Sequence, residues 1–219
     1  LDELEALLVK NKYHFASLEN LTVWSAAVAD SLIADISQGA KAMGRAYFLQ
    51  YWNDAQRLTL PKILKIVAKV GFNPAQISHE TQIPLPIIFR RLASLPPQGN
   101  FPPIGLMICD GSGGLLRKQP CKELQAPRVG SACALWPLYL SLTQIGVPSR
   151  QRVVYSGRPG ELAPGSLFDT FSIAERVTSS SFDGPPIVRA TMLILPAEMP
   201  PSQPPITIGS TCRFCSVHA

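Results

Sequence analysis

Apolar and polar positions keep a helical rhythm through the first half of the chain and lose it in the second. Leu4, Leu7 and Leu8 form a short stripe, and Val23, Ala26, Ala27, Asp30, Ile33 and Ile36 follow at roughly helical intervals. From Glu19 to Leu58 the sequence has no proline and is rich in Ala and Leu. This predicts a long helical stretch, with Gly39 and Gly44 as candidate breaks. "LPKILKIVAKVGF" comes next, with Pro61 suited to a first helical turn and Gly71 to a C-terminal cap. "NPAQISHETQIPLPIIFRRLASL" then reads as a short helix capped by Asn73, a turn at Ile83 to Pro86, and a second helix through Leu95.

Proline marks where the rhythm changes. Only four of the 21 prolines precede residue 95, and "LPPQGNFPP" opens a proline-rich remainder that must be mostly strands and loops. "PIGLMICD" and "GGLLRKQP" flank a Gly-Ser-Gly-Gly turn and predict a hairpin. "GSACALWPLYLSLTQIG" is an apolar stretch of helix length in which Pro137 marks a start. The strand candidates "RQRVVYSG", "SLFDTFSIAERV", "PIVRATMLILP" and "PITIGS" follow it. Two strands, a helix and further strands is the order of PAS- and GAF-like sensory domains. The expected fold is α+β: a helical domain over residues 1–95 with a helix-turn-helix-like end, then an antiparallel PAS/GAF-like sheet domain over residues 96–219.

Composition narrows the class. With 219 residues, 46% hydrophobic and 16% charged, the chain can bury a real core and does not read as disordered. The net charge of +5 permits an acidic partner such as DNA without requiring one. The chain opens on Leu1 rather than Met, so a preceding N-terminal part is expected. "LDELEALLVKNK" is acidic and amphipathic, unlike a signal peptide, and no apolar run approaches the ~18 residues of a membrane span. Five cysteines without a secretory signal point to a reducing, cytoplasmic setting, where clustered cysteines favour metal or redox chemistry.

Several chemistries can be weighed on spacing. Ile77 to Leu95 has the outline of a helix-turn-helix, and Arg90 and Arg91 are candidates for phosphate contact. "PLPIIF", however, offers few polar side chains for base edges and favours a packing role. "HETQI" begins like H-E-x-x-H but has Ile83 where the second histidine must stand, which excludes that zinc site. No Ser or Cys has a convincingly placed base, so no enzymatic activity is expected. "DGSGGLLRK" joins two strands and opens no helix, so it lacks the context of a phosphate loop. Cys212 and Cys215 form a C-x-x-C pair able to face one tetrahedral cation at about 2.3 Å from each sulfur. Two ligands do not suffice, and Cys133 and His218 are the candidates to complete a zinc or iron-sulfur site. Redox chemistry and an unliganded tail remain open alternatives.

"GSACALWPLYLSLTQIGVPSRQRV" followed by "TIGSTCRFC" resembles the C-terminal region of the short-chain fatty acyl transcriptional regulators, bacterial proteins with an N-terminal DNA-binding domain of the XRE helix-turn-helix type. The matching residues are Gly130, Cys133, Leu135 and Trp136, then Ile208, Gly209, Cys212, Arg213 and Cys215. "TQIPLPIIFRRLASLPPQG" is similar to a second family segment, and the likeness spans about residues 40 to 219. Ala134 stands where the family carries proline. The resemblance implies an effector-sensing module that responds to a short-chain acyl-coenzyme A. The implied helical half is related to the ImmA/IrrE-like domain without its metallopeptidase histidines. It also implies a homodimer that binds DNA through an N-terminal domain. Pockets in such domains lie between sheet and helix. Trp136 and Tyr139 are therefore expected to line the site, and Arg150 and Arg152 to meet coenzyme A phosphates. The alternative is a cysteine-based metal or redox sensor.

Overall fold

The computed structural model describes residues 2–97, 101–121, 124, 133–155, 166–177, 184, 186–197 and 204–209. The chain is α+β, with eight helices and one six-stranded sheet among these residues. It divides into two compact units, Leu1–Phe101 and Pro102–Ala219.

The first unit is helical: α1 (Asp2–Lys10), α2 (Ala16–Glu19), α3 (Ala26–Leu32), α4 (Gln38–Arg57), α5 (Leu60–Val70), α6 (Pro74–Thr81) and α7 (Leu85–Ala93). Local signals set many of these ends. Pro61 lies in the first turn of α5, and Gly71 caps its end at φ +67°, a conformation that costs glycine little. The Asn73 side chain accepts from the Ala75 and Gln76 amides and so starts α6. Gln82 turns the chain in the left-handed region, and α7 begins at Leu85, so Pro86 belongs to the helix and not to the expected turn.

Gly39 and Gly44 do not break the long helical stretch. Both lie within α4, and the interruptions fall between Glu19 and Ala26 and between Leu32 and Gln38. A Cβ on Gly44 would stand 2.9 Å from Ile33 Cγ2, so this glycine serves close packing. Around α4 the core gathers Leu18, Ile33, Phe48 and Tyr51, with Phe15 edge-on to Phe48 at 4.8 Å between ring centroids.

The second unit contains β1 (Gly105–Asp110), β2 (Leu115–Gln119), α8 (Pro137–Ser141), β3 (Ser149–Tyr155), β4 (Ser166–Arg176), β5 (Val188–Pro196) and β6 (Ile206–Ile208). Its strand order is β2-β1-β5-β4-β3-β6. Every neighbouring pair is antiparallel except β3 and β6, which corrects the expectation of a wholly antiparallel sheet. β6 enters beside β3 in the same direction, with Val153 opposite Ile206 and Tyr155 opposite Ile208. Side-chain alternation gives no sign of strand direction, so the pattern of "PITIGS" did not carry this.

The apolar "GSACALWPLYLSLTQIG" yields a helix of only five residues, which Pro137 begins. α8 lies across β4 and β5 and also touches β1 and β3. Against that face of the sheet pack Met107, Cys109, Val153, Phe168 and Met192, with Trp136 and Leu138 from above.

Candidate functional site

The two arginines weighed for phosphate contact are inside the helical unit. α7 buries Arg90 and Arg91, and each forms a two-pronged ion pair with a carboxylate. Arg90 donates from Nε and Nη2 to Asp54 at 2.6 and 2.9 Å. Arg91 donates from Nη1 and Nη2 to Glu19 at 2.7 and 2.9 Å, and from Nε to the Leu58 carbonyl at 2.9 Å. Tyr51 Oη also donates to Glu19, at 2.7 Å; burial, then the nearby Glu19 charge, pushes this phenol far above its ordinary range. The planar forks of Arg90 and Arg91 are satisfied by carboxylates of α2 and α4, in keeping with the packing role that "PLPIIF" favours for this segment.

In the sheet unit the candidate effector residues fall on two faces. Val153 and Tyr155 belong to the core under α8, so the alternating Arg150 and Arg152 of β3 point to the opposite face. There they share one carboxylate across the β3–β4 pair. Arg152 Nε and Nη2 reach Asp169 at 2.8 and 3.0 Å, and Arg150 Nη2 reaches it at 3.0 Å. Partial burial pulls the Asp169 carboxyl upward, but the hydrogen bonds and charges of Arg152 and Arg150 outweigh it and hold it below the usual range. Arg150 remains 61% exposed and stacks over Phe171 at 5.4 Å.

Trp136 and Tyr139 share the α8 side. Trp136 is fully buried and its indole N–H donates to the Gly209 carbonyl at 2.8 Å. Its own amide bonds to the Cys133 carbonyl at 3.2 Å, which makes one turn of the Cys133–Trp136 segment. Tyr139 is half-buried against the same core, and burial, then the neighbouring Cys109, pushes its phenol up to about 12. The Cys109 thiol itself is pushed up to about 11 by burial and the adjacent Asp110 charge. It is an inert thiol at neutral pH, not a nucleophile.

Two functional candidates had no part in the sequence reading. Ser172 Oγ on β4 and Gln151 Oε1 on β3 are buried without a hydrogen-bond partner among the described residues. Ser172 is 1% exposed and shares its side of β4 with Phe168 and Ala174, beneath α8. Leaving such an atom unsatisfied costs about 1–3 kcal/mol, so two on one face are candidates for contact with a bound group. The signal was present as "DTFSIA", where Thr170 and Ser172 interrupt an apolar alternation.

Of the cysteine site, Cys133 is buried beside Trp136, while Cys212, Cys215 and His218 lie outside the described residues. Among the described residues no three His, Cys, Asp or Glu side chains converge to hold a metal ion. No helix among them is long and apolar enough to cross a membrane.

The fold has a solved counterpart. It is similar to a Mycobacterium tuberculosis transcriptional regulator, with a TM-score of 0.68, 15% sequence identity and 87% of this chain covered. The match takes in 61% of that protein's length, so the chain spans about three-fifths of it. No protein-family model matches the sequence. No curated protein matches it either.

Proposed function

We propose that the chain is the effector-sensing portion of a bacterial transcription regulator, and that its sheet unit binds a short-chain acyl-coenzyme A or a related metabolite. What carries this reading is the likeness of fold to a transcriptional regulator over 87% of the chain. Two further features support it. β1, β2, α8, β3, β4 and β5 follow one another as two strands, a helix and three strands, which supports the PAS/GAF-like reading. The sheet also has buried polar atoms under α8 that lack a partner among the described residues, with Tyr139 beside the same layer.

In this reading the chain is no enzyme. It works in the cytoplasm as a homodimer, and DNA is bound by a helix-turn-helix domain N-terminal to Leu1. The helical unit, an ImmA/IrrE-like remnant, transmits the signal by changing how the subunits are arranged. Trp136 forms the floor of the site, Tyr139 its wall. Arg150 and Arg152, on the far face and paired with Asp169, do not share it.

The test is isothermal calorimetry and thermal shift with acetyl-, propionyl- and butyryl-coenzyme A. Binding of at least one, with a rise in melting temperature, is expected. No heat and no shift with any of them overturns the acyl-thioester reading.

A second reading has one observation in its favour. The Trp136–Gly209 bond holds the chain three residues before Cys212 against the segment that carries Cys133. That tether brings Cys212 within about 11 Å of chain length from the clamp. It suits a zinc or iron-sulfur site made by Cys133, Cys212, Cys215 and His218, in which the thiolates supply soft ligands. Elemental analysis and visible absorption of anaerobically purified protein are expected to show metal or a charge-transfer band. A Cys212→Ser variant with the same metal content and the same melting temperature would sink this version.

A further inference from the structure

The side of the sheet that faces α8 is apolar along β1 and β5, where Met107, Cys109, Ala190, Met192 and Ile194 meet the helix layer. On β3 and β4 it carries Val153, Phe168 and Ala174 but also three polar side chains. Gln151, Thr170 and Ser172 stand there side by side. Gln151 is directly opposite Thr170, and Ser149 is opposite Ser172. Gln151 and Ser172 are therefore diagonal neighbours on one face, about 7–8 Å apart.

Thr170 satisfies itself by donating from Oγ1 to the Gln151 carbonyl at 2.8 Å. Ser172 Oγ and Gln151 Oε1 have no partner among the described residues, and both are shut off from solvent. Together they offer a carbonyl that accepts and a hydroxyl that donates. The surroundings set the charge of a group that meets them. Arg150 and Arg152 point to the other face and are engaged with Asp169. Tyr139 and Cys109 both titrate well above neutrality, so they present neutral groups. The cationic residues that share this face by register, Arg176 and Lys118, are four residues along β4 and three strands across from Ser172, so no charged side chain stands next to it. A neutral amide finds both of its partners.

We infer that Gln151 and Ser172 recognise a neutral secondary amide of the effector, Gln151 Oε1 accepting from its N–H and Ser172 Oγ donating to its C=O. The pantetheine arm of an acyl thioester carries such amides, so this rests on the effector reading above and assigns the part of the molecule that enters. The acyl and amide portion lies under α8, and the phosphates stay outside.

The experiment is calorimetry on wild type, Ser172→Ala and Gln151→Leu with three probes: butyryl-coenzyme A, S-butyryl-N-acetylcysteamine and butyrate. The first two are expected to bind wild type and butyrate not to. Each substitution is expected to weaken both amide-bearing probes about tenfold. Unliganded Ser172→Ala is expected to melt no lower than wild type, since a hydroxyl without a partner is removed. Wild type that binds no coenzyme A probe overturns the effector reading and this inference with it. Wild type that binds while both variants bind equally well overturns the inference alone. So does a Ser172→Ala protein that loses several degrees without ligand, because the hydroxyl is then satisfied in the empty protein.

Discussion

Arg91→Ala is expected to destabilise the chain by about 3–5 kcal/mol, measured by denaturant unfolding followed through helical circular dichroism. The guanidinium is 1% exposed as a residue, and its Glu19 partner's side chain is 5% exposed. Truncation leaves Glu19 charged and buried, and it also removes the donor to the Leu58 carbonyl at the end of α4. Most of the loss is the unpaired carboxylate rather than the absent attraction. The paired replacement Arg91→Met with Glu19→Leu is therefore expected to recover part of the stability, because an apolar pair avoids desolvating two charges while the Leu58 carbonyl and Tyr51 Oη still lose a partner. A loss below about 1 kcal/mol in Arg91→Ala would mean that water reaches the pair and that α7 is not fastened this way. Against a typical stability of about 5–15 kcal/mol, the expected loss is a large fraction of the whole.

This lock shows why sequence reading reached the helices but not their chemistry. Caps are local, and Pro61, Gly71 and Asn73 stand within a few residues of the backbone groups they serve. The partners of Arg90 and Arg91 are 36 and 72 positions away, and nothing in "IIFRRL" indicates them. Two adjacent arginines near a helix end look the same whether they await phosphate or are already paired. Gly44 misled for a related reason. A glycine within a helical pattern signals either a break or a close approach, and only the position of Ile33 distinguishes the two.

The sheet posed a different problem. Strand positions along β1, β3, β4 and β5 followed from their apolar runs. In "SLFDTFSIAER", however, both alternating sets contain apolar residues: Leu167, Phe171 and Ile173 on one side, Phe168 and Ala174 on the other. Period-two alternation cannot say which set meets α8 when both are apolar. This ambiguity hid Ser172, and the same ambiguity on β3 allowed Arg150 and Arg152 to be grouped with Trp136. Tertiary pairing with Asp169 separates them.

Trp136 is the second position with a large expected effect, and two substitutions divide its roles. Trp136→Ala is expected to cost about 3–5 kcal/mol, the range for emptying a fully buried aromatic site. Trp136→Phe keeps most of the packing but removes the indole N–H, leaving the Gly209 carbonyl without its donor. That change is expected to cost only about 1–2 kcal/mol globally, and its consequence is local. β6 is three residues long and pairs only with β3 among the described strands, so the indole is a large share of what holds it. Amide exchange at Ile206 to Ile208 is therefore expected to accelerate far more than at Met107 or Met192 in Trp136→Phe, where the sheet centre is untouched. Equal protection of β6 in wild type and Trp136→Phe would show that strand pairing alone retains it. The result also bears on the cysteines. If the clamp positions Cys212 for metal with Cys133, Trp136→Phe must lower metal affinity while leaving every ligand in place, whereas a tail that binds nothing would show only the faster exchange.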